Sequence, residues 1–176
     1  MLPVAKAPPR PTVLVVDDDP ENIAVLSASL RSCCVVRVAT SGTKALGIIG
    51  SEDPPDLILL DITMPGINGL DLCRKLQGSR ACRHIPIIFV SAHSEVEDEC
   101  QGLALGAVDY IKKPVNPSIV RARVLIHLEL KHARDALERR NEILEAKLSL
   151  QATQRLERAG QFGDDPAFSA SPARKV

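Results

Sequence analysis

Five short runs of apolar, largely β-branched residues alternate with segments of helical pattern, and this alternation limits the fold more than any other feature. One of these runs, LILLDITMPG at 57–66, leads four apolar residues into a single carboxylate before a Pro-Gly break. Strands that alternate with helices form a parallel sheet with helices on both faces. The predicted strands cover residues 12–16, 35–39, 57–60, 87–90 and 110–112, and the predicted helices cover 20–32, 43–49, 70–77, 95–105 and 117 to about 159.

Boundary signals flank several of these segments. Asp19 and Asn116 each precede a proline, which combines an N-cap side chain with proline at the first helical position. Gly106 follows the end of a predicted helix, as is typical of a C-terminal glycine. We expect Gly66 and Gly69 to supply unusual backbone angles in the loop after the third strand.

Length and composition exclude several classes of protein. The chain has 176 residues, 45% hydrophobic and 25% charged, which suits one globular domain with extensions. Lys+Arg and Asp+Glu each number 22, so no basic field favours binding to nucleic acid, and we expect none. The five cysteines lack CxxC spacing, which argues against disulfides or zinc and favours a reducing cytoplasm. Without a signal-peptide core or a run of about 18 apolar residues, we expect a cytoplasmic protein with no membrane contact.

Proline and glycine divide the sequence into four regions. Residues 1–11 contain four prolines and are predicted to be a flexible leader. Residues 12–130 contain the alternating elements, and residues 131–159 extend the last helix. Residues 160–176 are rich in Gly, Ser, Ala and Pro and are predicted to be a disordered tail.

The last predicted helix is long, because neither proline nor glycine interrupts it from 118 to 159. At 1.5 Å per residue it would span roughly 60 Å. Its apolar stripe has an average step above the 3.5 residues of a left-handed coiled coil, which favours a straight or slightly right-handed pairing. Dense mixed charge beside the stripe favours a homodimer along one narrow seam, and a single solvated helix is the alternative. The stripe comprises Leu130, Ala133, Leu137, Asn141, Leu144, Leu148, Ala152 and Leu156.

Carboxylates follow the C-terminal ends of two predicted strands. Parallel strands bring these ends to one edge of a sheet, and ligands bind where the strand order reverses. If the order is 2-1-3-4-5, Asp17 and Asp18 after the first strand converge with Asp61 after the third. Three carboxylates in one pocket repel each other unless they share a cation. Mg²⁺ suits such a pocket, because it accepts carboxylates, waters and a phosphate oxygen.

The same edge carries groups that suit phosphoryl transfer. The ammonium group of Lys112 or Lys113 can pair with a phosphate oxygen, and the Ser91 hydroxyl can donate to another. Asp61 is then the candidate nucleophile, which would form an aspartyl phosphate.

Four motifs in this sequence resemble the receiver domain of two-component response regulators, over roughly residues 12–130. Each motif is weak alone, but four in order at appropriate spacing form a specific signal. The resemblance implies an α/β, flavodoxin-like (CheY-like) fold, which is a doubly wound five-stranded parallel sheet in the order 2-1-3-4-5, here with an extended C-terminal helix. The motifs are VLVVDDDP (13–20), LILLDITMPGINGL (57–70), IIFVSAHS (87–94) and GAVDYIKKPVNP (106–117).

The resemblance also implies a role for each candidate residue. It makes Asp61 the phosphoacceptor, with a histidine kinase or phosphotransfer protein as the donor. It also implies a cis peptide bond between Lys113 and Pro114. The other implied roles are Mg²⁺ ligation by Asp17, Asp18, Asp61 and the backbone carbonyl of Thr63, phosphate pairing by Lys113, a hydroxyl switch at Ser91 and an aromatic switch at Tyr110.

The region after the motifs resembles the connector of regulators that carry cyclic-dinucleotide phosphodiesterase or cyclase domains, and of hybrid kinases. It reads KPVNPSIVRARVLIHLELKHARDALERRNEILEA. No such domain follows in this sequence, so we expect a stand-alone regulator that signals through altered dimerisation or partner binding. A truncated part of a cyclic-di-GMP-metabolising regulator is the alternative.

Other function classes fit the residues less well. An unphosphorylated dimerisation or scaffold module would be expected to have a degraded acidic pocket, whereas every expected site residue is present. A haloacid-dehalogenase-type enzyme would have a second aspartate two residues after the first, where this chain has Thr63. Three Phe and one Tyr give little support for a flavin site. We therefore expect no turnover enzyme, and at most slow self-dephosphorylation of Asp61.

Overall fold

A computed structural model describes residues 10–92 and 102–161 of the chain, with side chains described up to residue 155. Within these residues, strands and helices alternate as predicted. The strands are β1 (Thr12–Val16), β2 (Val35–Ala39), β3 (Leu57–Asp61), β4 (Ile87–Ser91) and β5 (Asp109–Lys112), and the helices are α1 (Pro20–Leu30), α2 (Gly42–Ile49), α3 (Gly69–Gly78), α4 (residues 102–104) and α5 (Pro117–Gln161).

The five strands form one parallel sheet in the order β2-β1-β3-β4-β5. This order confirms the predicted doubly wound, flavodoxin-like architecture with an extended C-terminal helix. Three predicted regions lie wholly or mostly outside the described residues: the leader at 1–11, the tail at 160–176 and the helix at 95–105.

Element boundaries differ from the predicted ones by a few residues. β3 extends to Asp61 and β4 extends to Ser91, because the parallel register pairs them with Val90 and Lys112 respectively. α1 ends at Leu30, two residues earlier than predicted, because the backbone turns there and the carbonyl of Leu30 accepts from the two cysteine amides at 33 and 34. The candidate residues Asp61 and Ser91 are therefore the last residues of β3 and β4.

The strand β3 is buried on both faces of the sheet. Leu57, Ile58, Leu59 and Leu60 have no exposed surface, and Asp61 is 5% exposed. Full burial of each aliphatic side chain contributes roughly 1.5–3 kcal/mol. An apolar run without alternation is therefore explained by a central strand that helices cover on each side.

The two faces of the sheet carry different helices. Leu14 and Val16 of β1 pack in a cluster with side chains of α2 and α3, whereas Val13 and Val15 pack with side chains of α1 and α5. Successive residues of a strand point to opposite faces, so one short strand serves both clusters.

The first part of α5 is anchored to the sheet. Asn116 caps this helix, and its Oδ1 accepts a hydrogen bond of 2.9 Å from the amide of Ser118, as the sequence predicts. Val120, Val124 and Leu128 recur every four residues and are buried in the α1 and α5 cluster. Apolar burial at this spacing explains why the helix lies along the sheet.

Polar contacts add to this anchoring. Asp109, at the start of β5, forms an ion pair with Arg123 and a hydrogen bond with His127, whose Nε2 lies 3.1 Å from Asp109 Oδ2. Arg121 Nε donates to the backbone carbonyl of Ser29 on α1 at 3.1 Å. These contacts fix the first three turns of α5 to both neighbouring elements.

The chain divides into two compact units, Met1–Ala133 and Arg134–Val176. In the second unit the described part is helix, and an ion pair joins Arg134 Nε to Glu138 Oε1 at 3.9 Å. Leu137, Leu144 and Leu148 are exposed there by 62%, 48% and 65%. The part of the apolar stripe in this unit thus has no cover among the unit's described residues, and its pairing with a second copy stays a prediction.

The two glycines after β3 have different roles. Gly66 has a positive φ of 81°, as expected for a residue that supplies an unusual backbone angle. The same expectation is wrong for Gly69, which is not among the positive-φ residues. A Cβ at Gly69 would lie 2.1 Å from the backbone oxygen of Asp61, so this glycine is required for close approach of α3 to the end of β3.

The four described cysteines are free thiols, as the absence of CxxC spacing predicts. Burial raises the pKa of Cys73 to about 11, so this thiol stays protonated at neutral pH. No described helix is both long enough and apolar enough to cross a membrane.

Gly69→Ala tests the close approach of α3 to the backbone of Asp61. Overpacking against Asp61 is expected to lower the free energy of unfolding by about 1–3 kcal/mol. Gly47→Ala is the matched control, because it lies inside α2 with nothing within 4 Å of the added Cβ. The control should raise the free energy of unfolding by up to about 1 kcal/mol. Urea unfolding of both variants measures the difference, and equal effects would contradict the packing explanation.

Candidate functional site

The C-terminal ends of the five parallel strands lie along one edge of the sheet. β1 is followed along the chain by β2 on one side, and β3 continues to β4 on the other, so the winding reverses between β1 and β3. Asp17 and Asp18 directly follow β1, and Asp61 ends β3. The predicted convergence of these carboxylates therefore follows from strand order.

The three carboxylates lie close together. Each offers one oxygen atom, and the three atoms lie within 4.8 Å of one another. Asp17 and Asp61 are 1% and 5% exposed, whereas Asp18 is exposed to solvent. A donor set made only of oxygen atoms, open on one side to water, fits Mg²⁺.

Lys113 holds two of these carboxylates together. Its Nζ lies 2.8 Å from Asp17 Oδ2 and 2.9 Å from Asp61 Oδ1. The backbone amide of Lys113 donates to the carbonyl of Ser91 at 2.8 Å, which fixes the chain just after β5. The bond between Lys113 and Pro114 is cis, as the resemblance implies. Lys112 is exposed and does not line the pocket, so the structure distinguishes the two lysines.

The second oxygen of Asp17 faces α1. Asp17 Oδ1 accepts from the backbone amide of Asp19 at 2.9 Å and from the side-chain amide of Asn22 at 3.2 Å. Asp19 also caps α1, because its Oδ1 accepts from the amide of Glu21 at 2.8 Å. The first turn of α1 is thus built directly against the acidic pocket.

Burial and charge shift the pKa of the two central groups. Burial raises the pKa of Asp61; Lys113 opposes this shift through a hydrogen bond and its charge, and the charges of Asp17 and Asp18 add to it. For Lys113, burial by itself lowers the pKa, but the hydrogen bonds and charges of Asp17 and Asp61 outweigh burial, and its pKa is raised. The lysine is therefore cationic at neutral pH. Ionisation of Asp61 in the pocket lowers the stability of the folded state.

The remaining predicted residues surround this centre at different depths. Thr63 is exposed and lines the pocket two residues after Asp61. Ser91 ends β4 and has no exposed surface, while Ala92 lines the pocket next to it. Tyr110 is 8% exposed and lies in the α2 and α3 cluster, paired in register with Phe89. The structure therefore brings Thr63 to the pocket lining and places Tyr110 in the core.

Sequence reasoning missed Asn22 and Ala92 among the residues that line the pocket. Asn22 lies three residues after the N-cap Asp19, in the first turn of a helix that begins at the ligand edge of the sheet. A polar side chain at that position is the signal that would have identified it. Ala92 has no such signal, because a small apolar residue after a strand is common.

The pocket is an open cavity of about 380 Å³. At about 30 Å³ per water molecule, it has room for a hydrated divalent cation and a phosphoryl group together. Its lining residues are Asp17, Asp18, Asp19, Asn22, Asp61, Thr63, Ala92 and Lys113.

Residues 13–125 match the sequence model of the response regulator receiver domain. Over 137 residues, or 78% of this chain, the sequence is 41% identical to a protein from Vibrio cholerae named as a probable cyclic di-GMP phosphodiesterase, and it covers 31% of that protein. It is 39% identical over 129 residues, or 73% of this chain, to the response regulator PleD of Caulobacter vibrioides, and it covers 28% of PleD. The chain thus spans about a third of the length of these relatives.

A solved structure shows the same fold. The BeF3-activated receiver domain of DrrB, a protein of Thermotoga maritima, matches with a TM-score of 0.63 and 30% identity. The match covers 69% of this chain and 99% of that domain.

Asp61→Asn tests how much the ionisation of Asp61 in the pocket lowers the stability of the fold. Because the pKa of Asp61 is raised above 3.8 in the folded state, its ionisation opposes folding once the pH exceeds 3.8, and the cost is complete above the folded-state pKa. In EDTA at pH 7 the variant should therefore have a higher free energy of unfolding than the wild type, and the difference should shrink as the pH falls towards 3.8.

The control for this experiment is Asp53→Asn, which removes an exposed carboxylate. Its effect should stay within about 0.5 kcal/mol. Urea unfolding at several pH values measures all three proteins. A lower stability of Asp61→Asn at pH 7 in EDTA would contradict the assigned charge repulsion.

Proposed function

The chain belongs to the response regulator receiver domain family, and from this premise we propose that it accepts a phosphoryl group on Asp61 from a histidine kinase or phosphotransfer protein. The observation that carries the proposal is the position of Asp61 at the C-terminal end of a central strand, 2.9 Å from Lys113 Nζ and beside two further carboxylates. This arrangement places a nucleophile, a cation and a metal-binding donor set in one pocket.

The transfer needs little covalent chemistry from the protein. The nitrogen–phosphorus bond of the phosphohistidine breaks as an oxygen of Asp61 bonds to phosphorus, and the released imidazole nitrogen keeps the electron pair. Catalysis then consists of positioning and of compensating negative charge. Lys113, already cationic beside Asp61, would pair with a phosphoryl oxygen.

Mg²⁺ is the cofactor that the donor set fits. Asp17, Asp18 and Asp61 would bind it through side-chain oxygens, and Thr63, which lines the same pocket, through its backbone carbonyl. Bound there, Mg²⁺ would neutralise charge on the carboxylates and on the phosphoryl oxygens. Asp18, the exposed member of the group, keeps one side of the pocket accessible to the donor and to water.

The conformational switch belongs to the same proposal. Charge added at Asp61 would attract the hydroxyl of Ser91 and the ammonium of Lys113, and Tyr110 would repack. Ser91 and Lys113 are coupled by the hydrogen bond from the Lys113 amide to the Ser91 carbonyl. A displacement at β4 would therefore reach β5 and then α5, which begins four residues after Lys113. Such a shift works only through a difference in stability between two states.

We further propose that α5 carries the output as a homodimer along its apolar stripe. The exposed leucines at 137, 144 and 148 support this, since apolar groups in such a row favour burial against a partner. With neutral net charge, no contact with nucleic acid or membrane is included in the proposal. The free thiols support a reducing, cytoplasmic location.

A second candidate is that this chain is the receiver portion of a larger regulator of cyclic di-GMP. The match to the Vibrio cholerae protein, over 137 residues, is longer than the receiver match at 13–125 and therefore includes part of the helical extension. The phosphodiesterase activity in that protein's name would then belong to residues that this chain does not contain, and the receiver would control it through α5.

Phosphorylation by acetyl phosphate tests the central proposal. The wild type should gain one phosphoryl group in the presence of Mg²⁺ and none in EDTA, and Asp61→Asn should gain none. Intact-protein mass spectrometry measures the product. Equal labelling of wild type and variant would disprove the role of Asp61 as the acceptor, whereas no labelling of either would support the unphosphorylated scaffold instead.

Two neighbouring lysines provide a matched pair for the same assay. Lys113→Met should slow phosphorylation at least about tenfold, because loss of one charge-stabilising contact costs more than about 1.4 kcal/mol in the transition state. Lys112→Met removes the same charge from an exposed position and should keep the wild-type rate. Equal rates for the two variants would exclude the assigned role of Lys113.

Dimerisation through α5 is tested by charge placed on the stripe. Leu144→Glu should convert a dimer to a monomer in sedimentation, because a carboxylate in an apolar seam is costly to bury. Ala146→Glu places the same charge two residues along the exposed helix, away from the stripe, and should leave the dimer intact. A wild-type protein that sediments as a monomer at all concentrations would disprove the dimer.

A further inference from the structure

We propose that Asn22 is a positioning residue of the Mg²⁺ pocket, which orients Asp17 for metal binding and keeps it in place when Lys113 is drawn to the phosphoryl group. This inference rests on the proposed function and adds to it a residue that no motif of the sequence identifies. Asp17 is 1% exposed, and its two oxygens have separate partners on opposite sides. Oδ2 accepts from Lys113, whereas Oδ1 accepts from Asn22 and from the amide of Asp19.

The chemistry of the two side chains fixes the direction of the Asn22 contact. An ionised carboxylate can only accept hydrogen bonds, so the NH₂ end of Asn22 must face Asp17 Oδ1 across the 3.2 Å between them. The contact therefore orients Asp17 Oδ1 without adding a charge to the pocket. A lysine or arginine at this position would instead compete with a metal ion for the same oxygens.

The contacts to Oδ1 matter most when Lys113 moves. Lys113 contacts Asp17 and Asp61 at once, and on phosphorylation its ammonium group is shared with a phosphoryl oxygen. The hydrogen bond from Lys113 to Asp17 Oδ2 is then weakened. The hydrogen bonds from Asn22 and from Asp19 approach from the α1 side and persist, so the carboxylate keeps its orientation.

Asn22 is itself held by a rigid element. It is half-buried in the first turn of α1, which Asp19 closes through its side chain to the Glu21 amide and through its carbonyl to the Ile23 amide at 3.1 Å. Asparagine is a weaker helix former than leucine or alanine, so helix stability alone does not explain its presence. Groups that orient metal ligands typically change metal affinity by 10–100-fold when they are removed.

The test is a titration of the full chain with MgCl₂, followed by amide shifts in NMR spectra and by calorimetry. Asn22→Leu keeps the approximate shape of the side chain, removes the donor and should weaken Mg²⁺ binding at least about tenfold. Asn22→Gln retains the NH₂ donor and should recover most of the affinity. Ala24→Leu adds the same side chain at an exposed position of α1 and should bind as the wild type does.

Two further readouts separate positioning from a structural role. Urea unfolding in EDTA should show that Asn22→Leu is at least as stable as the wild type. The Mg²⁺ concentration that gives half-maximal phosphorylation by acetyl phosphate should rise by the same factor as the dissociation constant, with little change in the maximal rate. Destabilisation by Asn22→Leu together with equally weak binding by Asn22→Gln would assign Asn22 a structural role and overturn the proposal.

Wild-type affinity for Mg²⁺ in Asn22→Leu would also overturn this inference while leaving phosphorylation of Asp61 intact. Conversely, a wild-type chain that binds Mg²⁺ with the predicted dependence on Asn22, but takes no label on Asp61, would disprove the proposed function and leave the role of Asn22 standing.

Discussion

The bridge from Lys113 to Asp17 and Asp61 is the interaction on which the site depends. It lies between two carboxylates that are almost fully buried, at the point where the sheet brings β1 and β3 side by side. Without a nearby cation, charge at this density would be too costly to keep inside a folded domain. Bringing these reactive groups together in the pocket therefore lowers the stability of the folded state, as the raised pKa of Asp61 indicates.

The rest of the fold positions these few groups. β3 is buried on both faces, so it carries Asp61 to the edge on a strand that cannot shift without disrupting both clusters of the core. Gly69 allows α3 to approach the backbone of Asp61, and the first turn of α1 meets Asp17 from the other side. The reactive side chains are thus supported by regular elements and not by loops alone, which gives them a defined geometry.

Several details of the site were not predictable from local patterns. Gly66 and Gly69 look alike in the sequence, yet one supplies a left-handed backbone angle and the other a close approach, because α3 packs against the backbone of Asp61 at Gly69. Lys112 and Lys113 are adjacent and identical, so local patterns do not separate them; the family resemblance assigned Lys113, and strand alternation with the turn after β5 explains why Lys113 enters the pocket. Asn22 carries no motif, and only the start of α1 beside β1 gives it a role.

The sequence by itself determined the order of elements, the caps of α1 and α5, the buried central strand and the set of residues capable of phosphoryl chemistry. These follow from local properties: the period of the apolar residues, the backbone preferences of proline and glycine, and the chemistry of single side chains. Tertiary structure alone decided which oxygen of Asp17 faces Lys113 and how closely α3 approaches β3. The contact of Lys113 with Asp17 joins residues 96 positions apart, and the approach of α3 depends on how that helix packs on the sheet, so both geometries exist only once the strands are paired and the helices packed.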